Sequence, residues 1–135
     1  MPRRKATPRW LTRQILEAIH DAQLREHGGA PGIRDEGLLE SALARAQHKF
    51  AYTVGVDLAT LAAAYAFGLA RNHGFVDGNK RAAFMGAYVF LGLNGQDLEA
   101  AEPEVVTTME HVASGRPTEE GLATWIREKL RPADR

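Results

Sequence analysis

Residues 57–72, DLATLAAAYAFGLARN, constrain the fold more than any other stretch, because they are apolar on nearly every side of a helix. A surface helix shows one apolar stripe, whereas a helix without a polar face has to be enclosed by other elements. The chain therefore needs a central helix with neighbours around it. Residues 79–94 have much the same character and end at Asn94-Gly95, a helix stop, which makes them the expected partner. Gly68, Gly86 and Gly92 each cost about 1 kcal/mol relative to Ala inside a helix. Close backbone approach between these two helices is the expected reason for them.

The remaining periodicity surrounds this pair. Thr12 caps a first helix with Leu16, Ile19, Ala22 and Leu24 inward, stopped by Gly28-Gly29. After a turn-rich loop, Asp35 caps a second helix that buries Leu38, Leu39, Ala42 and Leu43. YTVGV, residues 52–56, is short and β-branched and reads as a connector. Pro103 opens a fifth helix closed by Ser114-Gly115, and Thr118 opens a sixth carrying Leu122, Trp125, Ile126 and Leu130. The expected fold class is all-α: one compact domain of about six helices around a central buried pair. A chain of 135 residues suits one such core, and it carries no internal repeat or low-complexity stretch.

Composition removes several function classes. There is no cysteine, so disulfides and thiolate metal sites are excluded and an intracellular setting is expected. Apolar runs break before the roughly 20 residues that cross a bilayer, and no signal-peptide segment opens the chain; the expectation is a soluble, cytoplasmic protein without membrane contact. Net charge is zero. Arg3, Arg4, Lys5, Arg9 and Arg13 nevertheless cluster in a start that carries no acid. Residues 1–11 read as a solvated basic arm ahead of a domain at 12–131. Without interleaved aromatics the arm has no base-stacking platform, and no direct nucleic-acid binding is expected.

Chemistry concentrates in HGFVDGNKR, residues 73–81, between the two apolar helices. Lys80 and Arg81 stand at a helix N-terminus, where the macrodipole disfavours cations by about 0.3–1 kcal/mol at exposed sites. One explanation is that Asp77 caps the helix and both cations reach into water. The other is an anion: the N–H groups of Gly78, Asn79 and Lys80 wrap a phosphate that Lys80 and Arg81 neutralise. His73 favours the second. An imidazole can take a proton from a hydroxyl near neutral pH, a carboxylate beside phosphates can hold Mg2+, and Arg with backbone N–H groups stabilises phosphoryl oxygens. Phe75 reads as the anchor that pins the loop to the core.

HGFVDGNKR resembles the Fic/Doc signature, His-x-Phe-x-(Asp/Glu)-(Gly/Ala)-Asn-x-Arg, and its Asn-Lys-Arg ending resembles the death-on-curing (Doc) branch. HGGAPGIRDEGLLESALARAQ and FLGLNG are similar to the flanking Doc stretches, so the likeness covers roughly residues 12–130. The resemblance implies a Fic fold, with His73 as the base, Asp77 as the magnesium-binding carboxylate, Gly78 and Asn79 in the anion-binding turn, and Arg81 on nucleotide phosphate. Lys80 stands where Fic adenylyltransferases usually have Gly. In Doc proteins this lysine goes with a reversed ATP, which implies protein kinase activity that transfers the γ-phosphate, with a threonine of translation elongation factor Tu as target and arrest of translation as result. Phe84 replaces the common second arginine and further disfavours AMP transfer. Gly74 replaces a frequent proline, which predicts a more flexible loop. The inhibitory (Ser/Thr)-x-x-x-Glu-(Gly/Asn) pattern of many Fic enzymes is missing; the resemblance instead implies a type II toxin inhibited by a separate antitoxin, whose C-terminal segment folds into a surface groove. The alternatives are a Fic-type adenylyltransferase and a non-catalytic partner-binding module.

Other features have plainer readings. Glu17-x-x-His20 has the spacing of a di-metal helix but lacks a second Glu-x-x-His, so it reads as a surface or groove-lining pair. His27, His48 and His111 read as solvated or helix-end residues, and Trp10, Tyr65, Tyr88 and Trp125 as core or groove aromatics. Arg34, Asp35 and Glu40 read as ion-pairing structural groups around the loop, in preference to a partner-binding set.

Overall fold

The computed structural model describes residues 6–133. Six helices appear in order: α1 Arg13–His27, α2 Glu36–Tyr52, α3 Leu58–Asn72, α4 Asn79–Leu93, α5 Glu102–Ala113 and α6 Glu119–Lys129. Helix α3 starts where Asp57 Oδ1 accepts the Thr60 N–H at 2.9 Å. Its alanines let neighbours approach on every side, and it packs against α2, α4, α5 and α6. Residues 61–66 and 68–70 are buried without interruption, as a helix lacking a polar face requires. Thr12, Asp35 and Thr118 accept the expected N-cap bonds from Ile15, Leu38 and Gly121. The all-α fold around a central helix pair is therefore observed. Among the described residues no helix is long and apolar enough to cross a membrane.

Several local expectations change. A two-stranded antiparallel ribbon joins β1 Gln96–Leu98 to β2 Leu130–Pro132, with Leu98 opposite Leu130. Leu130 thus belongs to this ribbon and not to α6. Ala22 is exposed on α1. Gly68 lets α2 approach, not α4: an added Cβ would lie 3.3 Å from the Ala42 Cα. Gly86 does meet α3 through Leu69, whereas Gly92 faces open space and has no packing reason.

The end of the stretch read as an arm is built into the domain. Leu11 is buried, and its N–H donates to the Tyr65 hydroxyl at 3.1 Å. Trp10 stacks on Phe90 with ring centroids 6.1 Å apart, and Asn94 holds the Arg9 backbone on both its N–H and C=O sides. Arg13 lies in α1 and pairs with Glu36 at 2.8 Å, with Glu17 and Glu40 close by. Arg3, Arg4 and Lys5 fall outside the described residues. A polar knot ties α6 to α2: the buried Glu119 carboxylate accepts from Arg45 and Lys49. Arg45 and Arg71 each lie 5.3 Å from the Phe67 ring centroid.

Candidate functional site

Helix α3 stops at His73, which has φ 52° and ψ 49° and is the one non-glycine with positive φ among the described residues. A side chain in this left-handed region costs on the order of 1 kcal/mol or more, so the surroundings must hold it there. Arg34 does so from the preceding loop. Its Nε donates to the His73 carbonyl at 2.6 Å and a terminal guanidinium nitrogen to the Asn72 carbonyl at 3.0 Å. Residues 32–35 continue as a splint along the motif: the Arg34 and Asp35 N–H groups both donate to the Gly74 carbonyl, and the Val76 N–H donates to the Gly32 carbonyl. Asn72 adds a tie to the Leu38 carbonyl in α2.

Gly74 is buried inside this arrangement, and a Cβ there would lie 3.0 Å from Leu39 side-chain atoms and 3.1 Å from its Cα. Lack of room explains the glycine, in place of the flexibility read from sequence. Phe75 is 2% exposed and is the expected anchor. Its ring stacks face to face on His20, with centroids 3.7 Å apart and planes 9° from parallel. His20 is itself 3% exposed, and its Nε2 lies 2.8 Å from the Asp77 carbonyl oxygen. A carbonyl only accepts, so Nε2 carries the hydrogen. The expectation of a surface or groove-lining pair with Glu17 fails for this reason: Glu17 remains outside with Arg13, while His20 turns inward onto Phe75 and Asp77.

Asn79 closes the loop from the other side. Its amide accepts the Phe75 N–H and donates to the Phe75 carbonyl, both at 3.0 Å, so this side chain organises the turn. Asp77 is exposed, and its carboxylate accepts the Ala30 N–H at 3.1 Å and the Gly78 N–H at 2.8 Å. These two bonds, the Ala30 one first, hold its pKa below the usual carboxylate range against desolvation, and His20 and Arg81 nearby add to the lowering. Gly78 has φ 77°, and α4 begins directly after it with no side-chain cap and no acid in its first turn. Lys80 and Arg81 stand in that turn, both exposed, and form no ion pair among the described residues. His73, Asp77, Lys80 and Arg81 thus stand around the junction of two helix ends, although the Gly78 N–H expected to face an anion is donated to Asp77 Oδ1.

The junction has the local geometry that suits an anion. A left-handed residue followed by a helix start turns successive N–H groups toward one point, and this one has no capping side chain and no acid within its first turn, with Asp77 just ahead of it. Among the described residues no group of three or more acids or histidines gathers anywhere. Asp77 offers a carboxylate here, each of whose oxygens accepts one backbone N–H. One carboxylate plus substrate phosphates is a usual environment for Mg2+. The surface depressions lined by Thr108, His111 and Trp125, and by Lys49, Thr60 and Arg127, include none of residues 73–81. Sequence reading placed Arg34 among the structural groups around the loop without its tie to the His73 carbonyl, and it missed His20 as a support. His20 had a signal, its Glu-x-x-His spacing, but that pattern pointed to metal.

Comparison with known proteins gives the family. The model of the Fic/DOC family matches residues 10–91, which contain α1 to α4 up to Leu91 and the whole motif loop. The chain belongs to the Fic/DOC family. It is 34% identical over 119 residues to the protein kinase doc of Escherichia phage P1, covering 88% of this chain and 94% of that one. It is also 49% identical over 77 residues to the toxin Doc of Mycolicibacterium smegmatis, covering 54% of this chain and 57% of that one. Both relatives bear the Doc name, consistent with the Asn79-Lys80-Arg81 ending of the motif.

Proposed function

We propose that this chain is a Doc-type toxin that acts as a protein kinase, moving the γ-phosphate of ATP to a threonine hydroxyl of translation elongation factor Tu and so halting translation. The observation that supports the proposal is the start of α4: an uncapped helix N-terminus with two exposed cations and no acid in its first turn, next to an exposed imidazole on a residue with positive φ. Stability alone disfavours that arrangement, and a bound triphosphate makes it favourable. The name of the phage P1 relative supports the kinase reading.

In the proposed reaction His73 accepts the hydroxyl proton as the oxygen attacks the γ-phosphorus. The bond from that phosphorus to the β,γ-bridging oxygen breaks, and ADP departs. Arg81, Lys80 and the first N–H groups of α4 stabilise the phosphoryl oxygens. Asp77 would hold Mg2+, which supplies charge neutralisation along the phosphates when bound. Lys80 fills space that an AMP-transferring site leaves open for the phosphates, and this favours γ-phosphate transfer. Control falls to a separate antitoxin whose C-terminal segment folds onto the toxin surface. Incubating purified chain with γ-labelled ATP, Mg2+ and a bacterial lysate tests the proposal. Label in one band of elongation-factor size, lost with His73→Ala, is expected; label that survives His73→Ala would remove the base from the scheme.

A further inference from the structure

The motif loop rests on a residue outside the motif. Arg34 reaches 39 positions along the chain and places its guanidinium on the last two carbonyls before the turn, those of Asn72 and His73. Two features make this more than a helix-end interaction. First, the carbonyl with the shorter bond belongs to His73 itself, whose φ of 52° is otherwise unfavourable. Second, the Arg34 N–H and the neighbouring Asp35 N–H both bind the Gly74 carbonyl, so backbone and side chain of one residue grip both sides of the imidazole-bearing position. A planar fork spans two carbonyls in a fixed geometry, which an ammonium on a flexible stem does not reproduce.

We infer that Arg34 is the positioning residue for His73: it holds the general base in its left-handed backbone conformation and thereby sets where the imidazole meets the incoming hydroxyl. The inference rests on the kinase reading for its catalytic consequence, but its structural half does not need activity. Arg34 touches none of Asp77, Lys80 or Arg81 through these bonds, so nucleotide affinity is insulated from it. A base displaced by about 1 Å loses up to roughly 100-fold in rate. Loss of Arg34 should therefore appear in kcat and not in KM for ATP. Arg34 is exposed, so replacing it does not open the core.

The test compares the full chain with Arg34→Met, Arg34→Lys and Arg34→Met/His73→Ala. Phosphate transfer is measured at varied ATP, and side-chain NMR of His73 is recorded on the same samples. Expected for Arg34→Met are a kcat lower by about 10- to 100-fold, a KM for ATP within about twofold of wild type, and shifted, broadened His73 imidazole resonances. Arg34→Lys should recover only part of the rate, and the double variant should be no slower than His73→Ala alone. An Arg34→Met variant with wild-type kcat, or with unchanged His73 resonances, would overturn the inference, as would equal losses in kcat and ATP affinity. If the wild-type chain transfers no phosphate while folded, the kinase reading fails separately, and the resonances still decide whether Arg34 fixes His73.

Discussion

Replacing His20 probes how the motif loop is fastened, and the structure allows the cost to be divided. The ring contributes a face-to-face stack on Phe75 and one hydrogen bond to the Asp77 carbonyl, from a nearly fully buried position. Truncation to Ala removes the ring and leaves a void, which costs about 2–3 kcal/mol at a site of this size. It also removes the hydrogen bond, worth about 1 kcal/mol because Asp77 lies at the surface and water can replace the donor. His20→Ala should therefore lose about 3–4 kcal/mol, a large share of the roughly 5–15 kcal/mol that domains possess, and melt on the order of 10 °C lower. Two further variants separate the terms. His20→Phe keeps the stack and should lose only about 1–2 kcal/mol; His20→Gln keeps a donor and should lose about 2 kcal/mol. Urea unfolding followed by circular dichroism measures all three. A loss below about 1 kcal/mol for His20→Ala, or a loss for His20→Phe as large as that for Ala, would refute the assignment of packing as the larger part.

Three further outcomes follow from other parts of the fold. Asp57 is held well below the usual carboxylate range by Arg127 first, with Thr60 adding bonds, so its contribution is present above about pH 4 and lost as pH falls through its depressed folded value. Asp57→Ala should cost about 1 kcal/mol near neutral pH, mostly as a lost cap and partly screened by salt; the gap from wild type should narrow as unfolding is repeated in acid. Burial pushes the Tyr65 phenol up to about 12, so ultraviolet titration should show one tyrosine ionising late, and stability should fall as pH rises above about 10, where the unfolded phenol ionises first. Glu119→Gln keeps shape but leaves Arg45 and Lys49 without their acid; chemical denaturation should show a loss of about 1–3 kcal/mol, limited because Arg45 is half exposed.

Much of the fold was legible because its signals are local. Thr12, Asp35 and Thr118 announce helix starts within three residues of the bonds they make, and residues 57–72 cannot be placed anywhere but the centre. The motif loop was legible as a candidate site because His73, Asp77, Lys80 and Arg81 lie within nine residues of chain. Its supports were not. The partner of His20 lies 57 positions away and that of Arg34 lies 39 away, so no short window contains either pair. The β1–β2 ribbon is hidden for the same reason: two three-residue strands have too little pattern to register, and their pairing follows from α6 returning past the end of α4. Gly74 shows a different limit, since glycine marks both freedom and lack of room, and only the Leu39 contact distinguishes them.

The proposed function requires the start of α4 to hold a triphosphate with its terminal phosphorus facing the hydroxyl that His73 deprotonates. Intact-mass measurement of elongation factor Tu after incubation with the chain, ATP and Mg2+ tests it most directly. A gain of about 80 Da, absent with His73→Ala, is the expected result. A gain of about 329 Da would mean that AMP is transferred and the nucleotide lies the other way round, and no gain with an active, folded chain would remove this protein from its targets.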